Sequence, residues 1–248
     1  MRENQENKYL IFALYRVKAT NSSSEIITKI ANKVYWGFAS HGLFKDKLPY
    51  EAGLAMRDRV TAMLNEEIPT LLRVTDEKGG HSLFDETHKK ICNSMMAIYS
   101  ECNDVMTFGV AQRWLNQTLL DLTAVENNCC TGYWDISGTR KYFHVPVKDP
   151  LVEVATRGNR MRKVYQTGLT LKICVYEDPN GNSVFDWYRI TTTPYPRKPY
   201  TDWTYEEYMA FQTAVRERVK ELGYRDPLEW AFLAYAEAGS KSVSGVVS

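Results

Sequence analysis

Apolar residues recur every three to four positions through most of the first half of the chain, and every second position in one stretch of the second half. The longest helical pattern runs from Asp104 to Glu126. At 100° per residue it places Phe108, Ala111, Leu115, Leu119 and Leu122 on one side and Arg113, Gln117 and Asp121 on the other. Two polar residues break the pattern: Gln112 lies inside the apolar arc and Asn116, one turn on, at its edge. A buried amide is costly unless it is bonded. These two residues therefore either satisfy neighbouring groups or floor a polar cleft.

Earlier in the chain, Tyr9–Val17 is a short apolar run that period alone leaves open between strand and helix. Ser22, Ser23 and Ser24 offer N-caps to a helix carrying Ile27, Ile30, Val34 and Phe38, with Gly42 placed to stop it. A helix is predicted from Tyr50 to about Glu67, ended or kinked by Pro69. Lys78-Gly79-Gly80-His81 reads as a loop, and a further helix is predicted from Asp85 through Ile91, Met95, Ile98 and Cys102.

Beyond Asn127-Asn128 the pattern changes. Tyr142–Ala155 is valine-rich but holds Pro146 and Pro150, so any strand there is an edge or irregular one. Leu169, Leu171, Ile173 and Val175 alternate with Thr170, Lys172, Cys174 and Tyr176, and Asn180-Gly181 supplies a turn. Leu169–Thr193 therefore reads as a β-hairpin. Two helices close the chain. One starts at the capping box Thr204/Glu207 and stops at Gly223; the other has Asp226 as N-cap, Pro227 at its first position and Leu228, Phe232 and Tyr235 facing inward until Gly239. The expected class is α+β. A helical bundle occupies 1–128, a β-rich part with a small antiparallel sheet 129–200, and closing helices 201–239, read together as one domain of 1–240 before a flexible tail at 240–248.

Composition narrows the functional classes. Hydrophobic residues at 44% suffice for a globular core. Lys+Arg 31 against Asp+Glu 30 gives net +1, which argues against a wholly basic nucleic-acid coat while permitting a local patch. Five scattered cysteines do not form a secreted disulfide framework, no signal peptide is read at the start, and no run is long enough to span a membrane. A cytoplasmic protein without membrane partners is expected.

Known chemical motifs are tested against their spacing. His88 and Cys92 at i,i+4 put two zinc-type ligands on one helical face, with Cys129 and Cys130 as candidates to complete the set. Adjacent cysteines and the lack of a C-x-x-C pair argue against it, so no metal or other cofactor is assigned. Asp178-x-Asn180-x-Asn182 starts like a calcium loop, but Ser183 and Arg189 occupy the positions that need glycine and glutamate. Arg140 and His144 stand too close together for the Arg–His pair of helical RNases of the HEPN type. His144 with Asp149 retains the makings of a general base and its orienting carboxylate.

One basic cluster remains, RGNRMRK from Arg157 to Lys163, backed by Arg140 and Lys141. Arginines on a glycine-containing segment beside Tyr165 are the ingredients of phosphate gripping and base stacking.

The stretch F-G-x-A-Q-R-W-L-N, Phe108 to Asn116, followed by H-x-P at His144 to Pro146, resembles a family of uncharacterised bacterial proteins with F-G-x-A-Q-K-x-L-N and then H-x-P-x-D. Arg113 stands at the family's lysine and Lys148 at its aspartate, with Asp149 next to it. The resemblance implies a shared fold and supplies no mechanism.

Three functional expectations follow. The first is a binding protein that engages nucleic acid or another phosphate-bearing ligand through Arg157, Arg160, Arg162 and Lys163. The second is an enzyme whose cleft joins Gln112, Asn116, His144 and Asp149. The third is a partner-binding protein or homo-oligomer that uses the aromatic 185–205 region.

Overall fold

The computed structural model describes residues 2–39, 48–101, 106–128, 132–134, 136–148, 151, 160–167, 171–177 and 199–244. Among these residues are seven α-helices: α1 (Arg2–Tyr15), α2 (Ser23–Ala39), α3 (Tyr50–Leu71), α4 (Gly80–Ser100), α5 (Phe108–Asn128), α6 (Tyr205–Glu221) and α7 (Pro227–Ser244). No described helix is long and apolar enough to cross a membrane.

The expected α+β class is overturned, because the fold is helical. Every described buried side chain lies on a helix or on a turn or extended connector between elements, and no side chain described belongs to a strand. The physical reason is that the 3.6-residue period fills most of the chain, and helices so patterned bury one another without a sheet. The predicted hairpin of Leu169–Thr193 about Asn180-Gly181 is corrected with it. The backbone of Leu171–Glu177 runs antiparallel to the preceding segment, Arg160–Thr167, as a two-stranded ribbon. Residues 178–198, including the Asn180-Gly181 turn, lie outside the described residues. Two strands alone make no sheet layer to carry a core.

The chain forms two compact units. The first comprises Met1–Thr107 and Ala111–Phe143, the second Phe108–Val110 and His144–Ser248.

In the first unit, α2 begins at a reciprocal cap, in which Ser22 N donates to Glu25 Oε2 and Glu25 N to Ser22 Oγ. Tyr9–Tyr15 is the second half of helix α1, which settles that open reading in favour of helix. α3 continues through Pro69 to Leu71 instead of ending near Glu67. Only two residues follow the proline, and buried Ile68, Leu71 and Leu72 hold that last turn. α4 begins at Gly80, five residues before the predicted Asp85, so part of the expected loop is helix. Gly79, at φ 97°, turns the chain into it, and Phe84 anchors its first turns by packing on Phe143 with ring centroids 5.6 Å apart.

α5 keeps the predicted stripe, and the rest of its surface is more enclosed than expected. Its half-buried line is Arg113, Gln117, Asp121, Ala124 and Asn128, while Trp114, Leu115, Leu119, Leu120, Leu122 and Val125 are all buried. Trp114 Nε1 donates to Ala31 O at 3.0 Å, and its ring packs against Tyr35 and Phe38.

In the second unit, both predicted caps are formed. Thr204 and Glu207 make a capping box for α6, and Asp226 Oδ1 accepts from Glu229 N at 2.9 Å to start α7. α6 ends as expected, with Gly223 left-handed at φ 72°. α7 departs from its prediction in two ways: it runs past Gly239 to Ser244, and its buried face is Leu228, Trp230, Ala231 and Ala234, with Phe232 exposed. The same unit receives Phe108 against Tyr205 and Tyr208, with centroids 5.3 Å and 5.4 Å away. Beside it, a Cβ added to Gly109 would stand 2.1 Å from Tyr200 O, so only glycine permits that backbone approach.

Candidate functional site

The amides singled out on α5 are buried and bonded. Gln112 is 1% exposed and Asn116 0%. Asn116 Nδ2 donates to Gln112 Oε1 at 3.1 Å, and Asn116 Oδ1 lies 2.8 Å from His88 Nε2. The carbonyl oxygen can only accept, so His88 carries its proton on Nε2 and presents the Nδ1 lone pair on its other side. Cys92 Sγ is 3.8 Å from that Nδ1. The chain of bonds is therefore directional: thiol to imidazole, imidazole to asparagine, asparagine to glutamine. α4 supplies His88 and Cys92 one turn apart on its inward face, and Phe84, one turn earlier, stacks on the imidazole at 6.3 Å. Burial holds the Cys92 thiol well above its ordinary pKa, so the group is a neutral S–H. Sequence reasoning identified both amides but not their histidine, which lies 28 residues away.

The second unit holds another fully buried imidazole. His144 Nε2 accepts from Arg216 Nη2 at 2.8 Å, which leaves its proton on Nδ1, where Tyr208 OH is the partner at 2.5 Å. The next residue is clamped as well: Gln212 Nε2 donates to Val145 O at 2.8 Å, and Val145 N donates to Gln212 Oε1 at 3.0 Å. Tyr208, Gln212 and Arg216 are spaced four apart on α6, so a single helical row grips the extended His144-Val145 backbone. Lys148, at the family's aspartate position, has its ammonium 4.3 Å from the centre of the Tyr235 ring. No sequence signal beyond the spacing of that row points to Tyr208, Gln212 or Arg216.

The remaining predicted residues divide. Asp149 and Arg157 lie outside the described residues, as do Cys129 and Cys130. Arg160, Arg162 and Lys163 fall on the extended segment Arg160–Thr167, with Arg162 at the register irregularity between Met161 and Lys163. Lys141, taken as backing for the basic cluster, instead bonds the Asp76 carboxylate in the first unit, where Tyr142 OH also donates to Asp76 at 2.5 Å. Those two hydrogen bonds hold Asp76 below its ordinary pKa. Among the described residues, no group of three or more His, Cys, Asp or Glu side chains is arranged to hold a metal ion.

Comparisons of the chain with protein-family models, with curated proteins and with solved structures each return no match.

Proposed function

We propose that this is a binding protein for a phosphate-bearing polymer, with nucleic acid as its first ligand, and that Arg157, Arg160, Arg162 and Lys163 make the contact. The observation that carries this reading is the extended backbone of Arg160–Thr167, which holds three of the four cations of the cluster. Extended chain rises about 3.3 Å per residue, close to the roughly 3.4 Å per nucleotide along one strand of a duplex. Neighbouring side chains on such a segment point to opposite faces, so its cations are spread along a line and over both faces, an arrangement that can meet several phosphates along a polymer. The cluster contains no acidic residue between Arg157 and Lys163 to offset it.

The catalytic reading has less in its favour. Both ring nitrogens of His144 are engaged and its side chain is 0% exposed, and Gln112 and Asn116 are bonded within a core. Such groups suit the holding of structure better than contact with a substrate.

The test is fluorescence anisotropy with labelled single- and double-stranded DNA over a salt series, comparing the wild type with an Arg160→Ala/Arg162→Ala/Lys163→Ala variant. Binding by the wild type should weaken steeply with salt. The variant should bind less tightly, with a slope of log K against log salt smaller by about one for each phosphate contact removed. Equal affinity and equal slope for the two proteins would dismiss the proposal.

A further inference from the structure

We infer that the outward face of α1 is a docking surface for an anionic phospholipid bilayer, on which the helix lies in the plane of the headgroups. From Tyr9 to Tyr15 the helix is apolar all round, yet only one side of it is covered. The inward row is Asn7, Ile11 and Tyr15, four residues apart. Asn7 Nδ2 donates to Asn128 Oδ1 at 3.0 Å, the Tyr15 hydroxyl donates to the Asp121 carboxylate, and Ile11 is buried between them. The opposite side carries Phe12, Tyr9, Ala13, Leu10 and Leu14 in that angular order, all exposed, with Leu10 at 52% and Leu14 at 54%. A helix with apolar residues all round is ordinarily enclosed, so this side calls for a cover.

Width and charge select the cover. At 100° per residue the exposed residues span about 200°, from Phe12 round to Leu14. One partner helix engages a stripe of about half that width, whereas a lipid surface yields around a convex ridge. The rim is cationic. Lys8, Arg16 and Lys18 are exposed, and no acidic residue occurs between Glu6 and Glu25. Arg16 has left-handed backbone at φ 57°, which a long side chain seldom adopts, and Lys29 Nζ holds its carbonyl at 2.8 Å. After that turn the Arg16 guanidinium stands 5.5 Å, and the Lys18 ammonium 5.9 Å, from the centre of the Phe12 ring. Two cations thus meet one aromatic at the end of the apolar face, a pairing of phosphate-seeking charge with an interfacial ring. The expectation of no membrane partner rested on spanning length. None of the described helices could cross a membrane, and a helix that lies on the surface needs no such length.

The experiment is co-sedimentation of the full chain with sucrose-loaded vesicles of phosphatidylcholine or of phosphatidylglycerol. The wild type should bind the anionic vesicles and not the neutral ones. Leu10→Gln/Leu14→Gln and Lys8→Gln/Lys18→Gln should each lower the partition coefficient about tenfold. Both should keep the wild-type melting temperature, since all four side chains are exposed. If the leucine pair lowers that temperature, the lysine pair alone decides. The Arg160→Ala/Arg162→Ala/Lys163→Ala variant should still bind, which separates this face from the basic segment of the proposed function. The inference is overturned if the wild type stays in solution, if the α1 variants bind as tightly as the wild type, or if binding is lost only with the arginines. A wild-type dimer that Leu10→Gln/Leu14→Gln converts to monomer in light scattering would also overturn it, by giving the face to a second copy.

Discussion

Each unit of the protein buries one histidine completely, and the two are wired in opposite senses. His88 gives its Nε2 proton to an amide and faces a thiol, so every member of its chain is neutral and enclosed. His144 accepts at Nε2 from Arg216, a half-buried cation, and holds its proton on Nδ1 beside Tyr208. The same residue type thus closes a core in one place and ties a core to a charged side chain that reaches water in the other. Burial alone does not define the role of a histidine; the tautomer its partners impose separates the two cases.

That contrast can be tested from its largest consequence downward. His88→Leu removes the donor to Asn116 and the acceptor for Cys92 inside a sealed core. It should cost about 3 kcal/mol in denaturant unfolding, the scale expected for stranded buried polar groups. His144→Leu should cost less, about 2 kcal/mol, because Arg216 can turn its charge to solvent and the lost bond to Tyr208 is then the larger part of the effect. Equal costs for the two variants would erase the distinction. Adding Tyr208→Phe to His144→Leu should then cause little further loss, which a double-mutant cycle reads directly.

Arg216→Met keeps the aliphatic stem and removes only the charged bond. A loss of about 1 kcal/mol is expected, measured by the same unfolding curves. The smallest effect concerns Glu126, where ionisation intrudes on the first unit. Desolvation raises its carboxyl pKa above the ordinary value, although Gly132 N donates to it at 3.0 Å and the Tyr133 and Trp134 backbone amides also favour the charged form. A raised acid pKa contributes stability that is full below the unfolded pKa and is lost as pH rises through the folded one. Glu126→Gln should therefore raise the unfolding free energy at neutral pH, by no more than about a few tenths of a kcal/mol after solvent screening, with the gain vanishing below the ordinary carboxylate range. A gain that persists at low pH would show that the carboxylate charge is not its cause.

What the sequence made legible was local. The Thr204/Glu207 box and the Asp226-Pro227 start act within one turn, and both are formed as expected. The stripe of α5 and the anomaly of Gln112 and Asn116 within it could be read from a helical wheel. Partner choice could not. His88 meets Asn116 across 28 residues, and His144 meets Tyr208 and Arg216 across 64 and 72. The period-two run at Leu171–Glu177 is extended as read, yet its pairing is with Arg160–Thr167, because alternation specifies a strand's faces and not its neighbour. The α4 start was missed since two glycines signal a loop, whereas ring packing on Phe84 extends the helix over one of them.

The narrow half-buried line along α5, from Arg113 to Asn128, has a consequence for the motions of the first unit. With almost every other side of the helix covered, its amides can meet solvent only when the surrounding packing is lost. In deuterium oxide, the amides from Leu115 to Val125 would exchange last and at a common rate, which makes this helix a clock for complete opening events.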